Sequence, residues 1–525
     1  MVLLILICFI SIVISYSFSK IVTAGSDHYY HFLLIKLIRK HNYKFVVNHD
    51  NLVNENIVSY PQLLHWALAR LTDKTILQIS KHLSLALQWI MNISFLSFLY
   101  ALDYYNILKL PLNTKVLILL FFQFIPYSYS ISNAKNRGLS ARGLGLWFGQ
   151  QIIYFMILYY FTDNLYFIFI AGIFTFFVFI SSQFATQFIV LFSVVFSAIN
   201  LSFIYLIPLF SGGLLFFIIM PKYAKVSIKG QFNHKVIYSK YLADRFILKY
   251  RPSVWKDLLI EPFRHIYIIY IKESLSTRDK FRRTNRFLSY LLDSSVFIFF
   301  FATPLIPISL YYGINLSTGS NDQIFFITSI TLSSTIIFLS VTLKKLRFLG
   351  EPERYLEFIL PIASIFIVIF VPQKVQYILL TYNLLFILLY FIKYKRAKFA
   401  KYRLELINIT SATAASLKKD SNSRVLVNDS DISKYLLDPE IKMYWYPVNM
   451  IQVDNVPFQD IYPTKYPIID PQYFAKLISK YNINHIILTP SNINDYLDAI
   501  KKSEIKIREI SSNAFYSFYK VINES

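Results

Sequence analysis

The sequence is short of charge and of cysteine. Only 16% of its 525 residues are Asp, Glu, Lys or Arg. Soluble domains average about a quarter charged residues, so this deficit excludes a purely soluble protein. Cysteine occurs once, as Cys8 inside an apolar run, which excludes an intramolecular disulfide and a thiolate metal site. Walker A, Gly-x-Ser-x-Gly and GxGxxG sequences are absent, which argues against ATP-driven transport, serine hydrolysis and nicotinamide chemistry.

Hydrophobic and aromatic residues are abundant instead. They make up 55% and 18% of the chain, with Phe and Tyr dominating the aromatics. Phe suits a lipid-facing surface, and Tyr suits the headgroup level, where its hydroxyl stays wet. In a membrane protein, a formal net charge of +23 bears first on the topology of the loops and on contact with anionic lipid. No aromatic-basic RNA-binding signature or zinc-finger spacing accompanies it, so we expect no nucleic-acid partner.

Apolar runs long enough for membrane spans recur along the chain. A span needs about 20 mostly apolar residues. The runs lie at 2–17, 83–102, 115–131, 143–162, 164–180, 183–198, 201–220, 288–312, 323–343, 355–371 and 375–392. No basic residue precedes the first run and no clear small-x-small cleavage site follows it, so we expect an uncleaved span. The sequence predicts an α-helical polytopic membrane protein with about eleven transmembrane helices.

The remaining segments complete the predicted domain organisation. Residues 1–220 form an N-terminal transmembrane module with an outside loop at 21–81, and 288–392 form the C-terminal transmembrane helices. Between them, 221–287 is a basic interfacial stretch with sixteen Lys/Arg against five Asp/Glu. From 393 to 525 strands alternate with amphipathic helices, which predicts a small soluble α/β domain. The predicted strands are 424–431, 483–490 and 514–523, and the predicted helices are 471–482 and 493–504.

The number of spans bears on orientation. An odd number places the termini on opposite sides, so an inside N-terminus puts the 21–81 loop and the C-terminal domain outside. The same count also puts the basic 221–287 stretch outside, against the positive-inside tendency. That tendency weakens for loops longer than about 60 residues, and we therefore favour the outside assignment.

The first candidate site follows the first span, in "AGSDHYYHFLLIKLIRKHNYKF" (24–45). If the segment is helical, Asp27 and His31 stand at positions i and i+4 and share one face, with His28 beside them. A carboxylate and an imidazole held together can accept a proton, bind a divalent cation or orient a phosphate. In the alternative, Asp27 caps the helix and the tyrosines, Tyr30 among them, anchor it at the membrane surface.

Two further segments carry candidate residues. "VSYPQLLHWALARL" (58–71) joins an extended Tyr-Pro step at Tyr60 to an amphipathic helix bearing His65, which is also typical of an ordinary interfacial helix. "RFLGEPERYLEFILP" (347–361) places Glu351, Glu353 and Arg354 at the mouth of a span. Charged side chains at or below the membrane surface tend to be paired or functional. The guanidinium of Arg354 is well shaped to bind a phosphate. The alternative is a Pro-started helix whose acidic first turn complements the helix dipole.

A fourth segment, "SNAKNRGLSARGLG" (132–145), offers Lys135, Arg137 and Arg142 in a short loop. These cations could hold a phosphate, but the segment is too irregular to be a P-loop.

These features together resemble the GT-C class of membrane glycosyltransferases, which use polyprenyl-phosphate or polyprenyl-diphosphate sugar donors. "DHYYHFLLIKLIRK" (27–40) is similar to the pattern of an Asp, an aromatic pair, a His and an amphipathic helix after the first span. "YPQLLHWALA" (60–69) resembles the Tyr-Pro segment of the same loop. The resemblance is strongest over 1–220 and includes a soluble C-terminal domain.

The resemblance implies roles for the candidate residues. Asp27 would be the catalytic acidic residue, as a general base or through a divalent metal such as Mg or Mn. His28 and His31 would position that metal or the donor phosphate, and Arg354 would hold the phosphate with Glu351 or Glu353 as its partner. Tyr30, Tyr60 and His65 would position the loop or the acceptor.

The implied function is transfer of a sugar from a polyprenyl-phosphate donor to a cell-surface glycan, lipid or protein, on the outside of the cell (plasma or inner) membrane. The C-terminal domain lacks the Trp-Trp-Asp signature of oligosaccharyltransferases, since "YWYPVN" (444–449) does not supply it. That departure argues against Asn-glycosylation of proteins. A polysaccharide polymerase or ligase, a lipid-linked glycan transporter and a non-catalytic membrane scaffold stay open as alternatives.

Overall fold

The structure is a computed structural model of the chain. It describes residues 2–21, 27–53, 56–129, 138–237, 239, 263–272, 276–277, 279–284, 294–317, 322–395, 399–445, 451–452, 461, 468–490 and 493–522. The chain divides into two compact units. We call Met1–Thr23, Ile79–Ile219 and Ile247–Ala397 the membrane unit, and Ala24–Gln78, Met220–Phe246 and Lys398–Ser525 the α/β unit.

Helices dominate the described part of the chain. The α-helices are α1 Val2–Ile21, α2 Asp27–Lys40, α3 Leu63–Leu68, α4 Asp73–Ser80, α5 Leu83–Tyr104, α6 Leu112–Gln123, α7 Arg142–Thr162, α8 Leu165–Ser181, α9 Gln183–Ile199, α10 Ile207–Ile219, α11 Pro221–Ile237, α12 Ser295–Phe297, α13 Leu305–Ser317, α14 Asp322–Thr342, α15 Leu360–Phe370, α16 Gln373–Lys395, α17 Phe399–Lys418, α18 Ser430–Tyr435, α19 Pro471–Lys480 and α20 Ile493–Lys502. Short 3₁₀ helices occupy Pro126–Tyr129, Phe203–Leu206, Lys344–Leu349 and Pro352–Ile359, and π-helical turns occupy Tyr267–Lys272 and Ile298–Ala302.

The membrane unit contains helices that can cross a bilayer. By length and composition these are α5, α7, α14 and the Gln373–Lys393 part of α16. A fifth arises if Ser295–Ala302 and α13, which meet at a bend of 68°, form one broken span. Each of the eleven predicted apolar runs contains a helix, but several are shorter than a full span. The multi-pass character is therefore supported, and the number eleven stays a prediction.

Small residues allow two helices of the membrane unit to approach closely. A Cβ added at Gly212 in α10 would lie 2.7 Å from the backbone carbonyl oxygen of Gly172 in α8 and 2.6 Å from the Cβ of Thr175. Lipid tails provide no hydrophobic driving force between helices, so close backbone contact at small residues is a main source of helix association. Gly212 thus fixes the spacing of α8 and α10.

The α/β unit is built on a mixed sheet, as its sequence pattern predicts. The strands are β1 Asn56–Ile57, β2 Arg424–Val427, β3 Lys442–Tyr444, β4 Ile451–Gln452, β5 His485–Leu488, β6 Lys506–Ser512 and β7 Ser517–Ile522. The five-stranded sheet has the order β3-β2-β5-β7-β6, with β3, β2 and β5 parallel and β7 and β6 antiparallel to their neighbours. Sequence reasoning missed β3, β6 and the long helix α17.

Local chemistry explains why α19 begins where it does. Asp470 precedes Pro471, and its Oδ1 accepts hydrogen bonds from the backbone N–H groups of Gln472 (3.0 Å) and Tyr473 (3.3 Å). Proline at the first helical position and a carboxylate at the N-cap are both favoured there. Phe474, Leu477 and Ile478 then face the sheet and form the core of the unit with the buried residues of β2 and β5.

The loop after α1 belongs to the α/β unit. The Val53 N–H donates to the carbonyl oxygen of Met443 (3.0 Å), and the Met443 N–H donates to that of Asn51 (2.8 Å). β1 pairs antiparallel with β4 through Ile57 and Ile451. Residues 51–53 thus lie beside β3 of the five-stranded sheet, and β1 and β4 form a separate two-stranded sheet. The sequence did not predict this grouping. Of the basic 221–287 stretch, α11, 239, 263–272, 276–277 and 279–284 are described, and its other residues lie outside the described chain.

The contact at Gly212 gives a test of helix packing. We expect Gly212→Ala to lower the thermal unfolding temperature of the detergent-solubilised chain by several degrees, because its methyl group would meet a backbone carbonyl that cannot rotate away. The matched control is Gly213→Ala, whose Cβ would meet only the Phe179 ring, at 3.9 Å. Equal stability of the two variants would contradict the packing argument.

Candidate functional site

Asp27 is the first residue of α2, in the α/β unit. Its side chain is 72% exposed, and its Oδ1 accepts a hydrogen bond from the Lys434 Nζ at 3.0 Å. A carboxylate in the first turn is stabilised by the positive end of the helix dipole. The predicted helix is confirmed, and it places Asp27 and His31 four residues apart. Asp27 can therefore meet a substrate from solvent while it stays fixed to a rigid element.

His31 faces the interior of the unit instead. Its Nδ1 lies 2.8 Å from the Nε2 of His65, and the two rings are 6% and 0% exposed. One of these nitrogens must donate the shared proton and the other accept it. Burial, and then the neighbouring His31, hold the pKa of His65 well below its usual value, so His65 is uncharged at neutral pH.

Aromatic rings close this histidine pair on several sides. The Tyr60 ring meets the rings of His31 at 5.5 Å and His65 at 5.8 Å between centroids. Tyr30 packs on Tyr60 at 5.9 Å and on Trp445 at 5.4 Å, and burial raises its pKa well above the usual tyrosine value. The structure thus brings the predicted residues Tyr30, His31, Tyr60 and His65 into one cluster, in which Tyr60 is half-buried and the other three are buried.

The geometry of this buried cluster favours loop positioning. Its side chains tie α2 to the Tyr-Pro segment and to α3, and none of the four is exposed to a ligand as Asp27 is. The donor-binding role of His31 and the acceptor role of Tyr60 and His65 stay predictions. His28, half-buried beside Tyr29, has a pKa that burial lowers, so it too is uncharged at neutral pH.

Sequence reasoning missed three polar residues of the same region. His49, Asn51 and Gln62 are at most 1% exposed. Both amide atoms of Gln62 lack a hydrogen-bond partner in the part of the chain that the structure describes. His49 stacks on Tyr30 at 6.2 Å, and burial lowers its pKa to about 3. The stretch "VNHDN" (47–51) resembles an exposed loop, so no local pattern marks His49 or Asn51 as buried.

The predicted divalent metal lacks a ready-made ligand set. Among the described residues, no three His, Cys, Asp or Glu side chains lie close enough to hold one ion. His31 is turned toward His65 and Asp27 toward Lys434. The proposed mechanism therefore does not use a metal, and metal dependence stays a prediction.

A second group of polar residues lies inside the membrane unit. There a cavity of about 120 Å³ is formed by α1, α5, α6, α7 and the Pro352–Ile359 turn. Its polar lining includes Gln88, Asn92, Gln123, Tyr127, Gln150 and Glu357. So many polar side chains are unusual among apolar helices, and they generally face a binding or water-filled space.

Hydrogen bonds link these polar side chains into a chain. The Ser11 hydroxyl donates to Gln123 Oε1 (2.5 Å), and Gln123 Nε2 donates to Asn92 Oδ1 (2.5 Å). Asn92 Nδ2 and Gln150 Oε1, both buried, have no hydrogen-bond partner among the described residues. Buried amide atoms are costly when unpaired, so the cavity is suited to a ligand rich in hydrogen-bonding groups.

Three carboxylates at 351–357 have defined partners, and one of them, Glu357, lines the cavity. Tyr127 donates to Glu357 Oε1 at 2.7 Å, and Ser295 donates to Glu353 Oε2 at 2.8 Å. Glu351 forms an ion pair with Arg354, whose guanidinium also lies 5.5 Å from the centre of the Phe184 ring. The Pro-started segment is a 3₁₀ helix, in which Glu353 is fully buried.

Arg142 is the described cation of the 132–145 segment. It begins α7 next to Gly143, which lines the cavity, and its buried Nη1 has no hydrogen-bond partner in the described ranges. Lys135 and Arg137 lie outside the described residues. A half-buried guanidinium with an unused donor can bind an anion, because each unpaired N–H is costly until an acceptor reaches it.

The buried imidazole of His49 makes the stability of the α/β unit depend on pH. Its folded pKa of about 3 lies below the ordinary 6.5, so unfolding takes up a proton between these values. Stability therefore falls as pH drops below about 6.5, by about 1.4 kcal/mol per unit for one such site. His49→Phe keeps the ring stack but removes the titrating imidazole. Between pH 7 and pH 5 we expect its unfolding free energy to fall by about 2 kcal/mol less than that of wild type.

The measurement is the unfolding free energy at both pH values in detergent. His82→Phe, at an exposed histidine, serves as the control for the histidine-to-phenylalanine change itself. An identical pH dependence in wild type and His49→Phe would show that His49 is not buried in its neutral form.

The fold is similar to that of a solved structure of the archaeal oligosaccharyltransferase AglB from Archaeoglobus fulgidus, in complex with an inhibitory peptide and a dolichol-phosphate. The TM-score is 0.50 at 9% identity, over 98% of this chain and 74% of that one. Another structure of the A. fulgidus oligosaccharyltransferase, tethered to an acceptor peptide with the NVT sequon, gives a TM-score of 0.49 at 9% identity and the same coverage. No protein-family model matches the sequence, and no curated protein matches it. The first likeness shows a fold shared with a GT-C membrane glycosyltransferase.

Proposed function

We propose that this protein is a membrane glycosyltransferase that moves a sugar from a polyprenyl-phosphate-linked donor to a hydroxyl-bearing cell-surface acceptor. The observation that carries the proposal is the fold likeness to an oligosaccharyltransferase over nearly the whole chain. Fold alone does not fix function, so the proposal also rests on the chemistry of the residues around Asp27 and Arg354. The active site is assigned to the outer face of the cell membrane, and the acceptor is a glycan, a lipid or a protein.

Asp27 supplies the general base in this mechanism. Its exposed carboxylate accepts the proton of the acceptor hydroxyl while the acceptor oxygen attacks the anomeric carbon of the donor sugar. The bond between that carbon and the phosphate oxygen breaks, and the phosphate leaves with the electron pair. The buried pairing of His31 with His65 supports this role because it fixes α2, and with it the direction of Asp27.

Arginine side chains of the membrane unit neutralise the departing phosphate. Arg354 is held by Glu351, and Arg142 carries a buried N–H that has no partner among the residues that the structure describes. Guanidinium groups can contact two phosphate oxygens at once, and negative charge grows on those oxygens in the transition state. The polar cavity beside Glu357 offers amide and hydroxyl groups for the hydroxyls of the donor sugar.

Replacement of Asp27 is the primary test of the proposed function. We expect Asp27→Asn to abolish transfer from radiolabelled polyprenyl-phosphate sugars in membranes that contain matched amounts of protein, because the amide cannot accept the proton. Asp498→Asn, at an exposed acid of α20, is the control and keeps wild-type activity. Equal transfer by wild type and Asp27→Asn would remove Asp27 from the mechanism, and no transfer by wild type with any donor would count against the glycosyltransferase.

The arginines give a separate test of phosphate binding. We expect Arg354→Gln and Arg142→Gln each to lower kcat/KM for the donor by roughly tenfold to a hundredfold, since each removes hydrogen bonds to a charged group. Arg354→Lys should recover only part of the loss, because an ammonium makes no bidentate contact. The control is Arg508→Gln on the exposed strand β6. Unchanged donor kinetics in both Gln variants would place the phosphate elsewhere.

A further inference from the structure

A helix of the C-terminal domain lies directly against the start of α2. This helix, α18, follows β2 of the sheet, and its Lys434 Nζ donates to Asp27 Oδ1 at 3.0 Å. The two residues are 407 positions apart in the chain. The Lys434 side chain is only 20% exposed, whereas that of Asp27 is 72% exposed. The ammonium is therefore held by the protein, while the carboxylate that it binds stays open to solvent.

Two further contacts fix α18 and the turn after it on α2. The ring of Tyr435 lies 5.0 Å from that of Tyr29, between centroids. Lys36 of α2 and Lys418 of α17 both donate to Asp438 Oδ2, at 2.9 and 2.7 Å. Burial acts to raise the pKa of Asp438, but the hydrogen bonds from Lys418 and Lys36 outweigh it and keep that pKa below its usual value.

The attachment of α18 to α2 does not depend on the charge of Lys434. The tyrosine pair and the Asp438 cluster already attach α18 to α2 without Lys434. An ion pair with a largely exposed partner contributes about 0 to 1 kcal/mol to stability, so the fold gains little from Lys434. A lysine held at the candidate base is better explained by a role in the reaction.

We propose that Lys434 is a positioning residue for Asp27, so that the C-terminal domain completes the reaction centre. This inference rests on the proposed function. By binding Oδ1, Lys434 fixes the rotation of the carboxylate, which directs the rest of the group toward the acceptor hydroxyl. An ammonium has three N–H donors, so Lys434 can hold the carboxylate and still donate to a nearby oxygen of the substrate.

The experiment compares Lys434→Met with Lys434→Arg in steady-state transfer from a polyprenyl-phosphate sugar. Methionine keeps an unbranched stem of similar length but removes the charge. We expect kcat of Lys434→Met to fall roughly tenfold to a hundredfold, with the donor KM within about threefold of wild type, because a lost positioning contact acts on the chemical step. Lys434→Arg, which keeps a donor within reach, should restore most of kcat.

The matched control is Lys418→Met, which removes one cation from Asp438 and leaves the Lys434–Asp27 pair in place. It should retain kcat, and the unfolding temperature of Lys434→Met should equal that of wild type. A kcat of Lys434→Met within twofold of wild type overturns the proposal. So does an equal loss in Lys434→Arg or in Lys418→Met, since docking rather than charge would then explain it. Absence of transfer by wild type would instead reject the proposed function itself, and this inference with it.

Discussion

A polar group that is buried away from water without a hydrogen-bond partner is costly, and this cost determines how the polar side chains of the membrane unit are paired. Its helices are apolar enough to lie in lipid, so each amide or carboxylate inside them needs an internal partner. Ser11, Gln123 and Asn92 meet this need by bonding to one another, and Glu357 meets it through Tyr127. The same requirement makes the cavity a candidate binding space, since Asn92 and Gln150 on its wall carry atoms without a partner among the described residues.

In the α/β unit, helix α2 combines a buried face with an exposed first residue. Along α2, the buried face of His31 packs with His65 and the tyrosines, where burial keeps the His65 imidazole and the Tyr30 phenol neutral. The first residue of the same helix, Asp27, stays exposed beside Lys434. A catalytic base must be accessible and also directed. In the proposed mechanism, different residues of this one helix meet the two requirements.

The proposed reaction gives these two groups of residues complementary tasks. A lipid-linked donor needs cations for the phosphate that leaves and hydrogen-bonding groups for its sugar, both of which the membrane unit carries in Arg354, Arg142 and the polar cavity. The acceptor needs a base, which the α/β unit carries in Asp27. No nucleotide-binding loop is required, in agreement with the absence of Gly-rich phosphate motifs from the sequence.

The sequence by itself determined the features that depend on local composition and periodicity. Each apolar run forms helix, "RVLV" and "HIIL" form buried parallel strands, and Asp27 begins the predicted helix. Only the tertiary structure decided which side chains meet. His31 pairs with His65, 34 residues away, Glu357 with Tyr127, 230 away, and Asp27 with Lys434, 407 away. No local pattern encodes such pairs, because the partner of a buried polar group is chosen by how the packed elements bring distant segments together.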